Sequence, residues 1–300
     1  MAGAFTVVDL SQLQPPNVVE ALNFETILAQ MLADLRARDP SFNALVESDP
    51  AYKILEVAAY RELLMRQRVN EAAKAVMLAF AKGADLDQLG ANFNVPRLLI
   101  EKGDPNAVPP TPDVYEGDDE FRARIPLSLE SYTTAGSEGS YVFHGLSADG
   151  DVRDISATSP TPGHVAVYVL SRTGNGQAPQ QLLDKVAAAL NADRVRPMTD
   201  QLSVLSASIL EYTIDAELVL YPGPDADVVL QAAHDAAQAY ANSLHRNGYD
   251  VSLSGIFRAL HQPGVQQVNL SAPTANIVVS DGQAPYCTGI NLTVATESNV

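Results

Sequence analysis

The chain has 300 residues, 46% hydrophobic and 18% charged, with 19 Lys/Arg against 36 Asp/Glu for a net charge of −17. That length suffices for two or three compact units and the composition is that of folded domains. So acidic a surface repels phosphate backbones and anionic lipid, which sets aside nucleic acid and membranes as partners, and the single cysteine, Cys287, excludes an internal disulfide and any multi-cysteine metal site.

The acidity is uneven. Residues 1–100 hold 9 Lys/Arg against 12 Asp/Glu, and residues 101–300 hold 10 against 24. The opening MAGAFTVVDLSQL lacks a basic segment followed by a long apolar one, and no stretch reaches about 18 continuous apolar residues. The expectation is a protein made in a cytoplasm, with neither signal nor membrane span.

Along the chain, residues 17–37 place Val18, Leu22, Ile27, Leu28, Met31, Leu32 and Leu35 at spacings of three and four, which predicts an amphipathic helix closed by Asp39-Pro40. Asp49-Pro50 predicts the start of a long helix running to Lys82, with Gly83 as its C-terminal cap. Val69, Ala73, Val76, Met77 and Phe80 line one face of its second half, more apolar surface than one or two short companions can cover. Bundling with another chain is the natural remedy, and an ordinary three-helix domain is the alternative. A short helix follows, capped by Asp85, with Leu86, Leu89 and Phe93 on one face. These eight residues are the candidate interface.

Residues 101–117, with prolines at 105, 109, 110 and 112, predict an extended linker and a candidate hinge. A helix is expected after it, capped by Asp118 or Asp119 and turning Phe121, Ile125 and Leu129 to the core, and another over Ser137 to Leu146. From residue 150 the pattern becomes strand and helix in alternation. Strands are expected at 152–157, 164–170, 201–207, 211–220, 264–270, 276–279 and 290–295, and helices at 178–192, 227–244 and 254–261. The simplest arrangement is two tandem βαβ-type modules. The fold class is therefore α+β: an N-terminal helical arm or bundle (1–98), a proline-rich linker (99–117), a first αβ module with leading helices (118–208) and a second (209–300).

Chemistry-bearing motifs are scarce. There is no phosphate loop, GxGxxG, HExxH or GxSxG. Gly174-Asn175-Gly176 has turn composition. None of His144, His164, His234, His245 and His261 is three or four residues from another. Asp85/Asp87 and Asp225/Asp227 sit at expected helix starts, where capping explains them. No catalytic residue, cofactor or metal is expected.

Three stretches carry a resemblance: AFAKGADLDQLGANFNVPR (79–97), DDEFRARIPLSLESYTTAGSEGSYVF (118–143), and the span from DVRDISATSPTPGHVAVYVLS to LNADRVRPMTDQLSVLSAS (151–208). Their Gly83/Leu86/Leu89/Arg97, Phe121/Arg122/Arg124, Thr134-Ala135-Gly136-Ser137 and Arg196-Pro197 resemble the baseplate J-like family of contractile-tailed bacteriophages and related injection machines. The resemblance implies a non-enzymatic virion protein of the tail baseplate, assembled in the bacterial host cytoplasm. It implies a wedge component that pairs through its helical parts with another copy of itself and with a second wedge protein. Joined wedges would ring the hub and spike and link them to sheath and tail fibres during contraction. Gly83 and Gly136 suit positive φ, Arg122 and Arg124 suit pairing with carboxylates, and Arg196-Pro197 suits the start of a strand. The alternatives are a receptor- or glycan-binding tail protein, which calls for an exposed aromatic cluster, and a hydrolase with a non-motif site, such as His164 converging on Asp154.

Overall fold

The computed structural model describes residues 10–14, 22–133, 135–223 and 225–295. Val18 of the first expected helix and Thr134 of the 134–137 stretch lie outside them. Two compact units divide the chain, one spanning Val8–Pro96 and the other built on Arg97–Val300.

In the N-terminal unit, α1 (Phe24–Arg38) starts later than the apolar spacing suggests. The Asn23 carboxamide accepts from the Thr26 amide at 3.0 Å, a local cap that starts the helix after Leu22. Helix α2 (Pro50–Ala75) has Pro50 at its first turn, but the Asp49 carboxylate accepts from Val46 N rather than from its own helix. The helix is shorter than the expected run to Lys82. It ends at Ala75, and successive turns (Met77 N to Lys74 O, Phe80 N to Met77 O) carry the chain to α3 (Gly83–Asn92). Spacing alone misses this break, because Met77, Phe80 and Ala81 keep intervals of three and one through it. Gly83 has φ +51° and opens α3 instead of capping α2, and Lys82, not Asp85, is the N-cap residue. The core of the α1–α2 pair is Ile27, Leu28, Leu32 and Ala59, flanked by Tyr52, Leu55 and Leu63.

The second unit begins with a ribbon. Strand β1 (Leu99–Glu101) pairs antiparallel with β2 (Val114–Tyr115), so the expected extended linker is closed on itself. Gly103 N donates to the Asp113 carboxylate, Asp104 N to Thr111 Oγ1 and Thr111 N to Asp104 O. The prolines do not prevent this, because the donors all come from other residues. A Cβ on Gly103 or on Gly150 would run into the backbone of Thr111 or of Leu99.

Helix α4 (Asp118–Leu127) has Gly117 as its N-cap residue, with Asp118, Asp119 and Glu120 in its first turn. Phe121 and Ile125 are buried, whereas Leu129 lies beyond the helix in a 3-10 turn and is exposed. Ser137 caps α5 (Glu138–Leu146). A three-stranded sheet follows in the order β3 (Val152–Thr161), β4 (His164–Ser171), β5 (Gln201–Ser206), with β3–β4 antiparallel and β4–α6–β5 a parallel crossover. Its α6 (Gln180–Leu190) turns Leu182, Val186 and Leu190 onto Val167 and Val169.

The second sheet has the order β7 (Val265–Ala272), β6 (Ser208–Leu220), β8 (Gln283–Val294). Here the tandem βαβ expectation fails. After α7 (Ala226–Leu244) and α8 (Leu253–Leu260) the chain returns antiparallel to β6, and only β8 runs parallel. The strand expected at 276–279 is a single bridge, Val251 to Ile277. Tyr212, Ile214, Ala216 and Leu218 alternate onto α7 and α8, where Ala233 and Ala237 allow the helix to sit close.

Candidate assembly interface

Helix α2 has 26 residues, and on its own account it buries only Ala59 and Asn70. Its inner arc, Tyr52, Leu55, Ala59 and Leu63, packs on α1. Nearly opposite, at 100° per residue, Ile54, Val57, Leu64, Met65 and Val69 fall within an arc of about 140°. They are exposed by 69%, 62%, 38%, 69% and 62%, and Val76 continues the line at 70%. Arg61 and Arg68 lie on the same arc with no carboxylate partner among the described residues. The flanks are polar and internally tied, Lys53 to Glu56, Arg66 to Glu62 and Gln67 to Glu71.

The residues singled out from sequence divide. Val69 and Val76 are on this stripe, and Ala73, Met77 and Phe80 are half-buried. Leu86 is fully buried in its own unit, Leu89 is half-buried and Phe93 is exposed. Ile54, Val57, Leu64 and Met65 were missed. The signal was present at spacings of three, four and seven, but Arg61 and Arg68 interrupt it and make the first half of the helix read as a charged face.

The other motif residues form a buried polar node. Arg124 donates from Nε and Nη2 to Glu116 at 3.0 and 2.7 Å, with both side chains almost wholly enclosed. Glu116 also accepts from Leu98 N, while Arg97 reaches Glu116 O at 2.7 Å and Asp118 at 2.8 Å. The Phe121 ring meets both guanidinium groups, 4.7 Å from that of Arg97 and 5.6 Å from that of Arg124. Arg122 takes the exposed Asp119 instead. The node fastens the β1–β2 ribbon to α4. Gly136 has φ +70°, and Arg196 donates to Asp200 O just ahead of β5.

Positions considered for chemistry do not converge. Asp154 pairs with Leu170 in the β3–β4 ladder and His164 with Thr161, so six residues of β4 separate them, about 20 Å at strand rise. Asp225 caps α7, and Asn175 Oδ1 accepts from Gln177 N within the Gly174–Gly176 turn. Cys287 is half-buried, and burial pushes its thiol pKa up, away from thiolate. A depression of about 420 Å³ on the open face of β7–β6–β8 is lined by Asp215, Glu217, Asn269 and Asn291. Its polar groups serve one another, Asn291 to Asp215 at 2.6 Å and Asn269 to Glu217 at 3.3 Å. Among the described residues no group of three His, Cys, Asp or Glu could hold a metal ion, and no helix is long and apolar enough to cross a membrane.

In the N-terminal unit an apolar helix face is uncovered, and in the second unit a ribbon and two sheets are knitted by internal polar contacts. The chain belongs to the baseplate J-like family: its N-terminal domain matches residues 47–104, its central domain 133–206 and its C-terminal domain 212–293. Baseplate protein J of Escherichia phage P2 is 50% identical over 289 residues, 94% of this chain and 96% of that protein. The chain is accordingly a structural baseplate component. Among solved structures, a chain of the anti-feeding prophage (AFP) baseplate is similar at 14% identity and a TM-score of 0.43. The match covers 61% of this chain and 44% of that one, so this chain spans less than half of the larger protein's length.

Proposed function

We propose that the chain is a wedge protein of the baseplate, that its N-terminal unit pairs with a second copy and with a second wedge protein, and that joined wedges form the ring between hub, sheath and fibres. The observation that carries this is the outer stripe of α2. A fully withdrawn Ile, Leu, Met or Val side chain gains about 1.5–3 kcal/mol. A contiguous apolar stripe with polar flanks is the usual form of a protein-binding face. Arg61 and Arg68 within it suit a partner rich in carboxylates, which a second copy of this acidic chain supplies. In this reading residues 1–98 are the bundling part, 99–117 the joint, and 118–208 and 209–300 the ring-forming modules. Assembly takes place in the host cytoplasm before the virion is complete.

Light scattering on the eluting full-length chain tests the reading. The unsubstituted protein is expected as a dimer or larger. The variant Leu64→Glu/Met65→Glu/Val69→Glu is expected as a monomer with the parent's circular dichroism, since these side chains are exposed on the free chain, and with a lower melting temperature because the stabilisation by pairing is lost. A strict monomer that joins no other baseplate protein would overturn it.

A further inference from the structure

The central family domain ends with β5 at Ser206, the C-terminal one begins within β6 at Tyr212, and a single residue, Ala207, separates the two strands. A joint so short is flexible only if nothing else bridges it, and here the bridging is dense. Ala207 is itself buried and donates to Val169 O, so the pairing to β4 continues through the joint. Leu170 of β4, Ala207 and Ala284 of β8 form a small core of their own with Ile209 beside it.

Polar contacts then cross from the first sheet to the second. Arg153 of β3 donates to His245 O at 3.0 Å and to Asn242 O at 2.8 Å. Those are terminal carbonyls of α7, which a helix leaves without partners. Asn247 N donates to Asp154 at 2.8 Å, and Asn247 Nδ2 donates to Tyr168 O at 3.0 Å. Ser156 Oγ donates to Asp281 O. Gly282 faces the Tyr168 ring, and a Cβ on it would come within 2.8 Å of that ring. Each bridge uses backbone on one side, so sliding one sheet past the other breaks all of them together.

We infer that residues 133–294 form one rigid lever, held by a latch of Arg153, Asp154, Ser156 and Asn247 across the Ala207 joint, so that any change of shape of the chain is located outside it. The inference rests on this joint and does not depend on the wedge reading.

Pulsed EPR distances test it in the full-length chain. Spin labels go on the exposed positions Ala188→Cys of α6 and Ala239→Cys of α7, in a Cys287→Ser background diluted into unlabelled chain. A single narrow distribution is expected. It should roughly double in width in Arg153→Ala/Asn247→Ala, with the circular dichroism unchanged. The milder Arg153→Gln covers the case in which the double variant does not fold, and should broaden the distribution to a smaller extent. A broad or two-peaked distribution in the unsubstituted latch overturns the inference, and so does a width that neither folded variant alters.

Discussion

Asp154 is the residue at which the energetics of the joint can be read most directly. Its carboxylate accepts from Asn247 N and faces Arg246 and Arg153, yet enclosure outweighs these and raises its pKa, even though part of the residue reaches the surface. The folded chain therefore holds the proton more tightly than the unfolded one. The stability this gives is fully present below the ordinary carboxylate value of about 3.9 and is lost as pH rises through the higher folded value. In Asp154→Asn an acceptor for Asn247 remains and the charge is gone. The variant should melt higher than the parent at about pH 8, with the gap closing toward about pH 4. A gap independent of pH would remove Asp154 as its source. His245 at the same joint acts in the other sense, because burial lowers its pKa and its protonation costs stability as pH falls below about 6.5. It does so in parent and variant alike, so the difference between their melting curves isolates Asp154.

At the scale of elements, the β1–β2 ribbon depends on glycine where two backbones touch. Gly150 is buried, a Cβ on it would come within 2.1 Å of the Leu99 carbonyl oxygen, and Gly150→Ala should cost about 1–3 kcal/mol by forcing the two backbones apart. Proteolysis should detect the release as faster cutting within residues 101–117, and cutting at the parental rate would mean that the ribbon is held elsewhere. Proline content made this segment read as an open linker, because its order comes from Asp113, Thr111 and Gly150, which are distant in sequence or unremarkable in composition. Helices with clear spacing, α6 and α7, were legible to within a residue or two. The length of α2 was not, since apolar intervals persist through the turns after Ala75. Strand direction was also hidden: β7 has the alternation a parallel strand would have, and only the path through α8 returns it antiparallel. On α2 the candidate surface was half legible, found at Val69 and Val76 and missed at Ile54 and Met65, where two arginines mask the stripe.

For the whole molecule, the Ala207 joint predicts how the chain opens. Amide hydrogen exchange of the most protected positions in β4 and β6 should report one common opening free energy, with the two sheets unfolding as one cooperative unit. In Arg153→Ala the values should separate. Different values in the parent would mean that each sheet opens independently. The same arginine has a bearing on the order of events during synthesis. Translation delivers β3 and its Arg153 some ninety residues before the end of α7, and domains fold from the N-terminal side as they emerge. The middle module is thus ready as a template, holding the donors that the last turn of α7 lacks, and the later half of the molecule completes its longest helix against a surface the earlier half has already built.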